Sequence, residues 1–232
     1  MIFKVADEFF EKLPTACFGV VLADGLDNGK AYPEIDTLLD TAIQSAAEAF
    51  AGKKVKEEPE IIPYREAFRT LGINPNKFLC SIEALFTRIA KGKGMPHINP
   101  IVDLGNAVSL KYALPIGAHD MQGAEEIDVR PSVAGDTFLP FGDSIEEAPN
   151  AGEMVYAVGS QVRTRRWTWR QSEHGKITAD TTTVFFPIDG FTDVNLDKVT
   201  AARDDLAAQL TAIFGCKTFT GLVDSDNREI RF

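Results

Sequence analysis

NPIVDLGNAVSLKYALPIGAHDMQGAEEIDVR, residues 99–130, is the stretch along which the apolar pattern of the chain changes its period. Asn99 followed by Pro100 is a good cap and first-turn pair, so the spacing predicts a helix over 99–110. From Glu126 onward, short apolar runs are separated by Gly, Pro, Asp and Asn, which is typical of antiparallel strands. The sequence therefore predicts an α+β fold, with helices gathered on one side of a run of strands.

The segment before residue 99 is predicted to contain one buried strand and then mainly helices. The continuous apolar run 16–23 (ACFGVVLA) ends at an Asp-Gly turn signal and predicts the buried strand. Pro33 opens a helix with one apolar face. Two further helices are predicted over 63–71 and 81–90, each ended by a glycine.

The segment after residue 126 is predicted to hold several strands and a final helix. The predicted strands cover 127–130, 137–141, 153–158, 161–171 and 176–188. The final helix is ended by Gly215. A polar stretch, 52–59 (GKKVKEEP), provides the one convincing boundary. We therefore expect a single unit, 1–232, made of an N-terminal strand-helix lobe (1–59), a core (60–192), and a C-terminal helix and tail (193–232).

The charge and cysteine content restrict the partners and the compartment. Acidic residues outnumber basic ones, 34 to 24, and the formal charge of −10 opposes non-specific nucleic-acid binding. Any RNA contact must then use a local patch. The 3 cysteines are far apart and odd in number, which favours buried thiols in a reducing compartment and a cytoplasmic location. No stretch is long enough to cross a membrane, and we expect that residues 1–12 are not a signal peptide.

The densest group of chemically useful side chains is RTRRWTWRQS, residues 163–172. On a continuous strand, alternation would place Arg163, Arg165, Trp167, Trp169 and Gln171 on one face. A base or an aromatic amino acid could stack on such a face beside the guanidinium groups. The alternative is a structural strand, with tryptophan in the core and arginine paired to the surplus carboxylates.

Two helical faces are further candidates. Arg65 and Arg69 lie at i and i+4 and would repel each other unless an anion or an acid lies between them. Asn99, Asp103 and Asn106 share one face of the predicted 99–110 helix. That face is either the polar wall of a pocket or a cap followed by solvated positions.

The histidines give weak signals. His119 precedes Asp120, but a triad needs a further nucleophile, and no Gly-x-Ser-x-Gly elbow is present. His97 and His174 lack metal-ligand spacing, and there is no phosphate-binding or dinucleotide-binding glycine motif. We therefore expect no metal, no cofactor and no covalent intermediate.

The span from Tyr64 to Phe191 resembles the tRNA-editing B3/B4 domain of the bacterial phenylalanyl-tRNA synthetase beta subunit. Residues 99–106 (NPIVDLGN) and 114–120 (LPIGAHD) are similar to its Asn-Val-Val-Asp-x-x-Asn segment and the following Pro-x-His-Ala-Phe-Asp. Residues 181–186 (TTTVFF) are similar to its closing strand. The strings YREAFRTLGINP, SIEALFTRI and RRWTWRQS are similar to bacterial proteins in which this domain stands alone.

The resemblance implies a B3/B4-like mixed or antiparallel sheet with helices around it, and hydrolysis of a mischarged aminoacyl ester by a positioned water. The residues that match the synthetase pattern are Asn99, Asp103, Asn106, Asp120, Thr181 and Thr182. There are also departures from it. Gly117 stands where the synthetase has its pocket histidine, Pro187 where it has an acidic residue, and residues 169–172 replace a glycine-rich segment.

These observations give a set of candidate site residues. The catalytic candidates are His119 and Asn99. The substrate-binding candidates are Arg65, Asp103, Asn106, Asp120, Arg165, Trp169, Arg170, Gln171, Thr181 and Thr182. We expect six of these residues to converge on one pocket, namely Arg65, Asn99, Asp103, Trp169, Arg170 and Gln171.

Three functions remain open at this point. The first is a free-standing deacylase or RNA-binding protein that edits aminoacyl-tRNA in trans. The second is a binding protein or hydrolase for an amino acid or small carboxylate, which kept the pocket and lost the tRNA. The third is an interaction protein whose Trp-rich face is buried against a partner. Whether the chain is an enzyme, and in which oligomeric state it works, is left open by the sequence.

Overall fold

The computed structural model describes residues 1–232 and contains six α-helices and ten strands. The helices are α1 (Asp7–Lys12), α2 (Pro33–Ala49), α3 (Ile62–Thr70), α4 (Ser81–Ala90), α5 (Pro100–Tyr112) and α6 (Leu196–Phe214). The strands are β1 (Ile2–Val5), β2 (Ala16–Asp24), β3 (His119–Asp120), β4 (Glu126–Pro131), β5 (Met154–Val158), β6 (Gln161–Arg165), β7 (Arg170–Gln171), β8 (Thr183–Phe191), β9 (Lys217–Val223) and β10 (Glu229–Arg231).

The strands form two sheets. One has six strands in the order β10-β1-β4-β5-β6-β7, and the other has four in the order β3-β8-β2-β9. All pairings are antiparallel except that of β1 with β4. The prediction of an α+β fold with a mixed sheet is therefore confirmed. Strands of the segment 1–59 pair with strands of both later segments, so sheet hydrogen bonds cross both predicted boundaries.

Strand β2 lies at the centre of the core because both of its faces are covered. On one face the Phe18 ring contacts the ring of Phe3, with centroids 5.7 Å apart. On the other face α6 lies close to the backbone at Gly19 and Gly190. A Cβ atom at either position would be within 2.8 Å of a methyl group of Val199. Burial on both faces explains why β2 is continuously apolar rather than alternating.

Most predicted helices are confirmed, including their ends. The Asn99 side chain caps α5 by accepting a hydrogen bond from the Val102 amide, at 3.0 Å. Helix α2 begins at Pro33. Helix α6 ends at Gly215, whose φ of 66° is left-handed. None of the helices combines the length and apolar content needed to cross a bilayer. All three cysteines are buried free thiols, as predicted.

The predicted strand over 161–171 is wrong, because this segment is a hairpin. Strand β6 ends at Arg165, the chain turns, and β7 pairs back onto it. Arg166 and Trp167 have φ values of 49° and 60° in the turn. A left-handed conformation costs about 1–2 kcal/mol per residue. Full burial of the Trp167 indole among Phe9, Phe68 and Phe191 offsets that cost.

Other strand boundaries also differ from the predictions. Residues 137–141 form isolated bridges rather than a strand, in a segment interrupted by Pro140. The strand predicted from 176 begins at Thr183, because Thr178 and Thr181 bond to each other and form a local turn. Strands β1, β3, β9 and β10 were not predicted. Each is either very short or lacks the alternation of a half-buried strand.

Candidate functional site

The hairpin β6-β7 and the loop before β3 enclose a cavity of about 270 Å³, which we call the hairpin pocket. Helices α4 and α5 and strands β5 and β8 complete its wall. Its lining residues are Ser81, Leu85, Asn106, Pro115, Ile116, Gly117, His119, Phe141, Tyr156, Thr164, Trp167, Thr168, Trp169, Arg170, Gln171, Pro187 and Asp189. The wall thus combines aromatic and aliphatic surface with polar and charged side chains that can fix the orientation of a small molecule.

Asp189 is the one carboxylate on this wall, and it is 2% exposed. Its Oδ1 atom accepts hydrogen bonds from the Tyr156 hydroxyl and from Trp167 Nε1, both at 2.6 Å. Its Oδ2 atom accepts no hydrogen bond from the chain, and this atom is not fully occluded. The floor of the hairpin pocket is therefore a fixed carboxyl group with one oxygen left for a ligand.

Burial controls the protonation of Asp189. Loss of hydration raises the pKa of its carboxyl to about 7, although the hydrogen bonds from Tyr156 and Trp167 act to lower it. Tyr64 donates to the backbone carbonyl of the same residue, at 2.9 Å. Burial raises the pKa of Tyr64 and Tyr156 well above the usual range, so both phenols stay neutral. Near neutral pH, Asp189 is thus the group in this cluster that titrates.

His119 lies against the same wall as a neutral ring. It stacks on Tyr156, with ring centroids 5.6 Å apart. Burial, with a smaller contribution from the charge of Arg163, lowers the pKa of His119 to about 3. Its Nε2 atom is occluded and has no hydrogen-bond partner. Such a weakly basic, sealed imidazole is a poor general base, which argues against the catalytic role predicted for it.

Residues 169–171 form the rim of the pocket. The Trp169 ring packs edge-to-face against the Phe78 ring, 4.9 Å away, and the Arg166 guanidinium contacts both rings, 4.5 Å from Trp169 and 3.9 Å from Phe78. Gln171 donates a hydrogen bond to the Ala118 carbonyl, at 3.0 Å. The salt bridges of this hairpin are made by Arg165 and Arg166, and the exposed Arg170 takes part in none. Arg170 is therefore the cation at the rim that remains available to a ligand.

Arg165, a predicted substrate-binding residue, belongs to a buried network outside the pocket. Its Nε and Nη2 atoms donate to the two oxygens of Glu153, at 2.8 and 2.9 Å, and its Nη1 donates to Glu147 at 3.0 Å. This bidentate geometry uses the guanidinium fully. Arg165 therefore has the structural role given as the alternative for this segment, in which arginine pairs with the surplus carboxylates.

Arg65 also lies in a structural network rather than in the pocket. It donates to the buried carboxylate of Glu83 at 2.6 Å, to the Asn76 side chain at 2.5 Å, and to the Pro75 carbonyl at 3.0 Å. The acid that compensates Arg65 is thus supplied by helix α4. The expectation that Arg65 meets the Trp-Arg segment in one pocket is wrong.

The predicted polar face of helix α5 is divided between two places. Asn99 caps the helix, and Asp103 accepts the backbone amide of Ile98 and lies near His97. Neither lines the hairpin pocket, whereas Asn106 does. Of the six residues expected to converge, the structure brings together Trp169, Arg170 and Gln171, and places Arg65, Asn99 and Asp103 elsewhere.

Asp120, Thr181 and Thr182 also lie outside the pocket wall. The Thr181 hydroxyl donates to the Asp120 carboxylate at 2.6 Å, which joins β3 to the turn before β8. Thr182 is exposed, and its carbonyl accepts the amides of Gly25 and Leu26. In this structure, these residues hold loops together.

One group of side chains has ligand atoms close enough to share a metal ion. Atoms of Asp36, His97 and Asp103 lie within 4.8 Å of one another. The linear spacing of the histidines gave no sign of this, because Asp36 is on α2 and Asp103 on α5. Desolvation acts to lower the pKa of His97, but the hydrogen bond to Asp40 and the charges of Asp103, Asp40 and Asp36 together outweigh it and raise that pKa. The grouping is therefore explained as a charge cluster around the imidazole.

Sequence reasoning missed Asp189 and the role of Trp167. The available signal was a single acidic residue inside an otherwise apolar strand, TVFFPIDGF. A carboxyl group in such a position must be hydrogen-bonded or functional. The indole that binds it could not be assigned, because Trp167 reaches the core through an unpredicted left-handed turn.

The chain is thus an α+β domain with a small pocket between a hairpin and two helices. The carboxyl group of Asp189 forms the floor of this pocket. Its sequence matches the B3/4 domain family over residues 63–215, and the chain belongs to that family. Among solved structures, the chain aligns with an N-terminal fragment of the phenylalanyl-tRNA synthetase beta subunit from Pyrococcus horikoshii, with 11% identity and a TM-score of 0.49. The alignment covers 95% of this chain and 53% of that fragment, so the chain spans about half its length. A search of curated protein sequences gave no match.

Proposed function

We propose that this chain binds the aminoacyl end of a mischarged aminoacyl-tRNA in the hairpin pocket and hydrolyses the ester with a positioned water. Membership of the B3/4 family and the resemblance to the synthetase editing segments support this proposal. The observation that carries it is the pocket itself. At about 270 Å³ it lies just below the ~300–1,000 Å³ of sites for drug-sized ligands, which suits a group the size of one amino acid.

The groups on the wall suit orientation and polarisation more than covalent catalysis. No serine or cysteine on the wall is hydrogen-bonded to a histidine, and burial raises the pKa of both Cys17 and Cys80 to about 12. Water is then the nucleophile. Asn106 and Gln171 are the wall amides that can orient it or polarise the ester carbonyl.

The proposed location of the nucleic acid follows from the charges. With a formal charge of −10, the chain has little general attraction for tRNA. The exposed, unpaired Arg170 at the pocket rim is placed to contact the terminal phosphate or ribose. We expect weak binding that depends strongly on salt, or delivery of the tRNA by another protein.

The test is to incubate the protein with a panel of mischarged tRNAs and to measure ester loss. Replacing Gln171 or Asn106 with alanine should lower the rate by about 10-fold to 1,000-fold, the scale of losing one preorganised donor. Asp226→Asn, on an exposed loop, is the matched surface control and should leave the rate unchanged. An acyl-enzyme trapped on any side chain, or no ester loss across the panel, would contradict the proposal.

A second candidate function is binding or hydrolysis of a free amino acid or small carboxylate. The same Arg170 supports it, since a guanidinium pairs well with a carboxylate, and the negative charge of the chain does not oppose a small ligand. The two candidates differ in what saturates the pocket. Under the second, free amino acids bind and uncharged tRNA does not compete with them.

A further inference from the structure

The two oxygens of Asp189 have different environments. Oδ1 is occupied by two short hydrogen bonds, from the Tyr156 hydroxyl and the Trp167 indole. Oδ2 has no hydrogen-bond partner in the chain and is not fully occluded, and Asp189 lines the hairpin pocket. A carboxyl group that is 98% buried with a free oxygen facing a cavity is a feature that a ligand would complete, because an unpaired buried charge is costly.

The chain supplies no cation to this carboxyl. Burial and its two hydrogen bonds set the pKa of Asp189, and no basic side chain contributes. The titratable groups around it are Tyr64, Tyr156, Cys17 and His119, and all four are neutral near pH 7. A positive charge that pairs with the ionised form of Asp189 would therefore have to come from a ligand.

We infer that the floor of the hairpin pocket is a receptor for a primary ammonium group, with Asp189 as its counter-ion. The inference rests on the proposed function only for the location of the ligand. A guanidinium is less suitable, because it seeks two acceptor oxygens and Oδ1 is already occupied by two donors. A quaternary ammonium has no hydrogen to donate.

A primary ammonium has three hydrogens to donate, and the open Oδ2 atom of Asp189 can accept one of them. The other wall atoms without a hydrogen-bond partner, the Thr168 hydroxyl and His119 Nε2, are occluded and take no part in this proposal. The apolar part of the ligand would lie against the aromatic and aliphatic wall.

The ammonium could be the α-ammonium of an aminoacyl group or the end of a basic side chain. The two sources are separated with amides that the protein cannot hydrolyse as esters. L-Phenylalaninamide carries only the α-ammonium, and Nα-acetyl-L-lysinamide carries only the side-chain ammonium. N-acetyl-L-phenylalaninamide carries neither, and n-butylammonium carries the cation alone.

The readout is the indole N–H resonance of Trp167 in ¹⁵N-labelled full-length protein at about pH 7. This proton is bonded to Asp189, and Trp169, the other tryptophan, provides the second peak and the means of assignment by Trp169→Phe. At least one amine-bearing amide should shift the Trp167 peak. We expect it to bind about 10- to 100-fold more tightly than the acetylated amide, the scale of a hydrogen bond to a charged group.

Asp189→Asn keeps an acceptor for Tyr156 and Trp167 but removes the charge, and it should lower the affinity by about 10- to 100-fold. Asp226→Asn should not change it. The affinity for the amine should also fall as Asp189 is protonated below about pH 7. Equal binding of the neutral amide, unchanged binding by Asp189→Asn, or no binding of any amine would overturn the ammonium site. Amine binding without hydrolysis of any aminoacyl-tRNA would instead contradict the proposed function and leave the ammonium site in place.

Discussion

The hairpin pocket and the groove between helices α2, α5 and α6 are two cavities that differ in volume and in the polarity of their walls. The groove has a volume of about 730 Å³, against about 270 Å³ for the pocket. Its walls are more apolar than polar and include several alanine and leucine side chains, and the charged groups at its edge include the paired Lys111 and Asp205, 2.7 Å apart. The groove thus has the larger volume, and the pocket has more polar groups without complete hydrogen bonding.

The difference shows which property of a cavity points to a function. Apolar space between helices follows from imperfect packing of small side chains and carries no demand for a particular ligand. The pocket wall instead has three polar groups without complete hydrogen bonding, on His119, Thr168 and Asp189. Buried polar groups are almost always satisfied, and of these three only the Asp189 oxygen is not fully occluded, so Asp189 is the sign of a ligand site.

Filling the two cavities tests this contrast most strongly. A Cβ atom at Gly117 would lie 3.0 Å from His119 Nε2 and 3.2 Å from Pro187, so Gly117→Val would push side-chain atoms into the pocket. We expect hydrolysis of a mischarged tRNA to fall by about 1,000-fold, since small displacements at a reacting centre already cost about 100-fold. Single-turnover ester loss is the measurement.

The matched change in the groove is Ala42→Leu, which adds apolar volume to a wall of that cavity. Its rate should stay within about 2-fold of the wild-type rate, because the groove has no part in the proposed reaction. If Ala42→Leu inhibited hydrolysis as strongly as Gly117→Val, the functional site would have been assigned to the wrong cavity.

His119→Gln tests the neutral imidazole on the pocket wall. The pKa of His119 is lowered from 6.5 to about 3, so the unfolded chain binds the extra proton first, and wild-type stability falls as the pH drops below about 6.5. Glutamine cannot take up that proton. Between pH 7 and pH 4.5 the variant should therefore lose about 3 kcal/mol less unfolding free energy than the wild type.

Urea unfolding at several pH values measures this difference, and a constant offset from altered packing does not affect the slope. Parallel curves for the wild type and His119→Gln would show that His119 is protonated in the folded protein. His119 would then again be a candidate general base.

Asp189→Asn should have the opposite pH dependence. The pKa of Asp189 is raised from 3.8 to about 7, so the folded protein holds the proton longer than the unfolded chain, and this contribution to stability is lost as the pH rises through that window. Asparagine removes the loss. Between pH 5 and pH 6.5 the variant should gain about 2 kcal/mol relative to the wild type. No gain would mean that the carboxyl is ionised and paired with a group other than Tyr156 and Trp167.

The sequence predicted the framework of the fold well because its signals are local. Pro33, the Asn99-Pro100 pair and Gly215 each act on the helix that contains them, and each helix begins or ends where predicted. The strands at the chain ends could not be predicted in this way. Strand β1 is four residues long and is defined by its neighbours β4 and β10 rather than by its own pattern.

The site was only partly predictable because it depends on long-range geometry. Trp169, Arg170 and Gln171 were found because they are adjacent in sequence and chemically unusual. Asp189 was missed because its partners Tyr156 and Trp167 are 33 and 22 residues away. Arg65 was placed in the pocket because its partner Glu83, on another helix, could not be recognised as such from the sequence.

The smallest effect is expected at the edge of the groove, with Lys111→Ala. Lys111 donates to Asp205 at 2.7 Å, but its side chain is 58% exposed, so water screens the attraction and the long side chain must be held in place. Exposed pairs of this kind contribute about 0–1 kcal/mol. Unfolding free energy should therefore fall by less than about 1 kcal/mol, less still at high salt, and hydrolysis should be unchanged. The Asp205→Asn variant and the double variant complete a cycle that isolates the pair. A coupling well above 1 kcal/mol would mean that the groove is closed in solution and shields its edge from water. The groove would then be a closed cavity and not the functionally neutral surface that the cavity-filling test assumes.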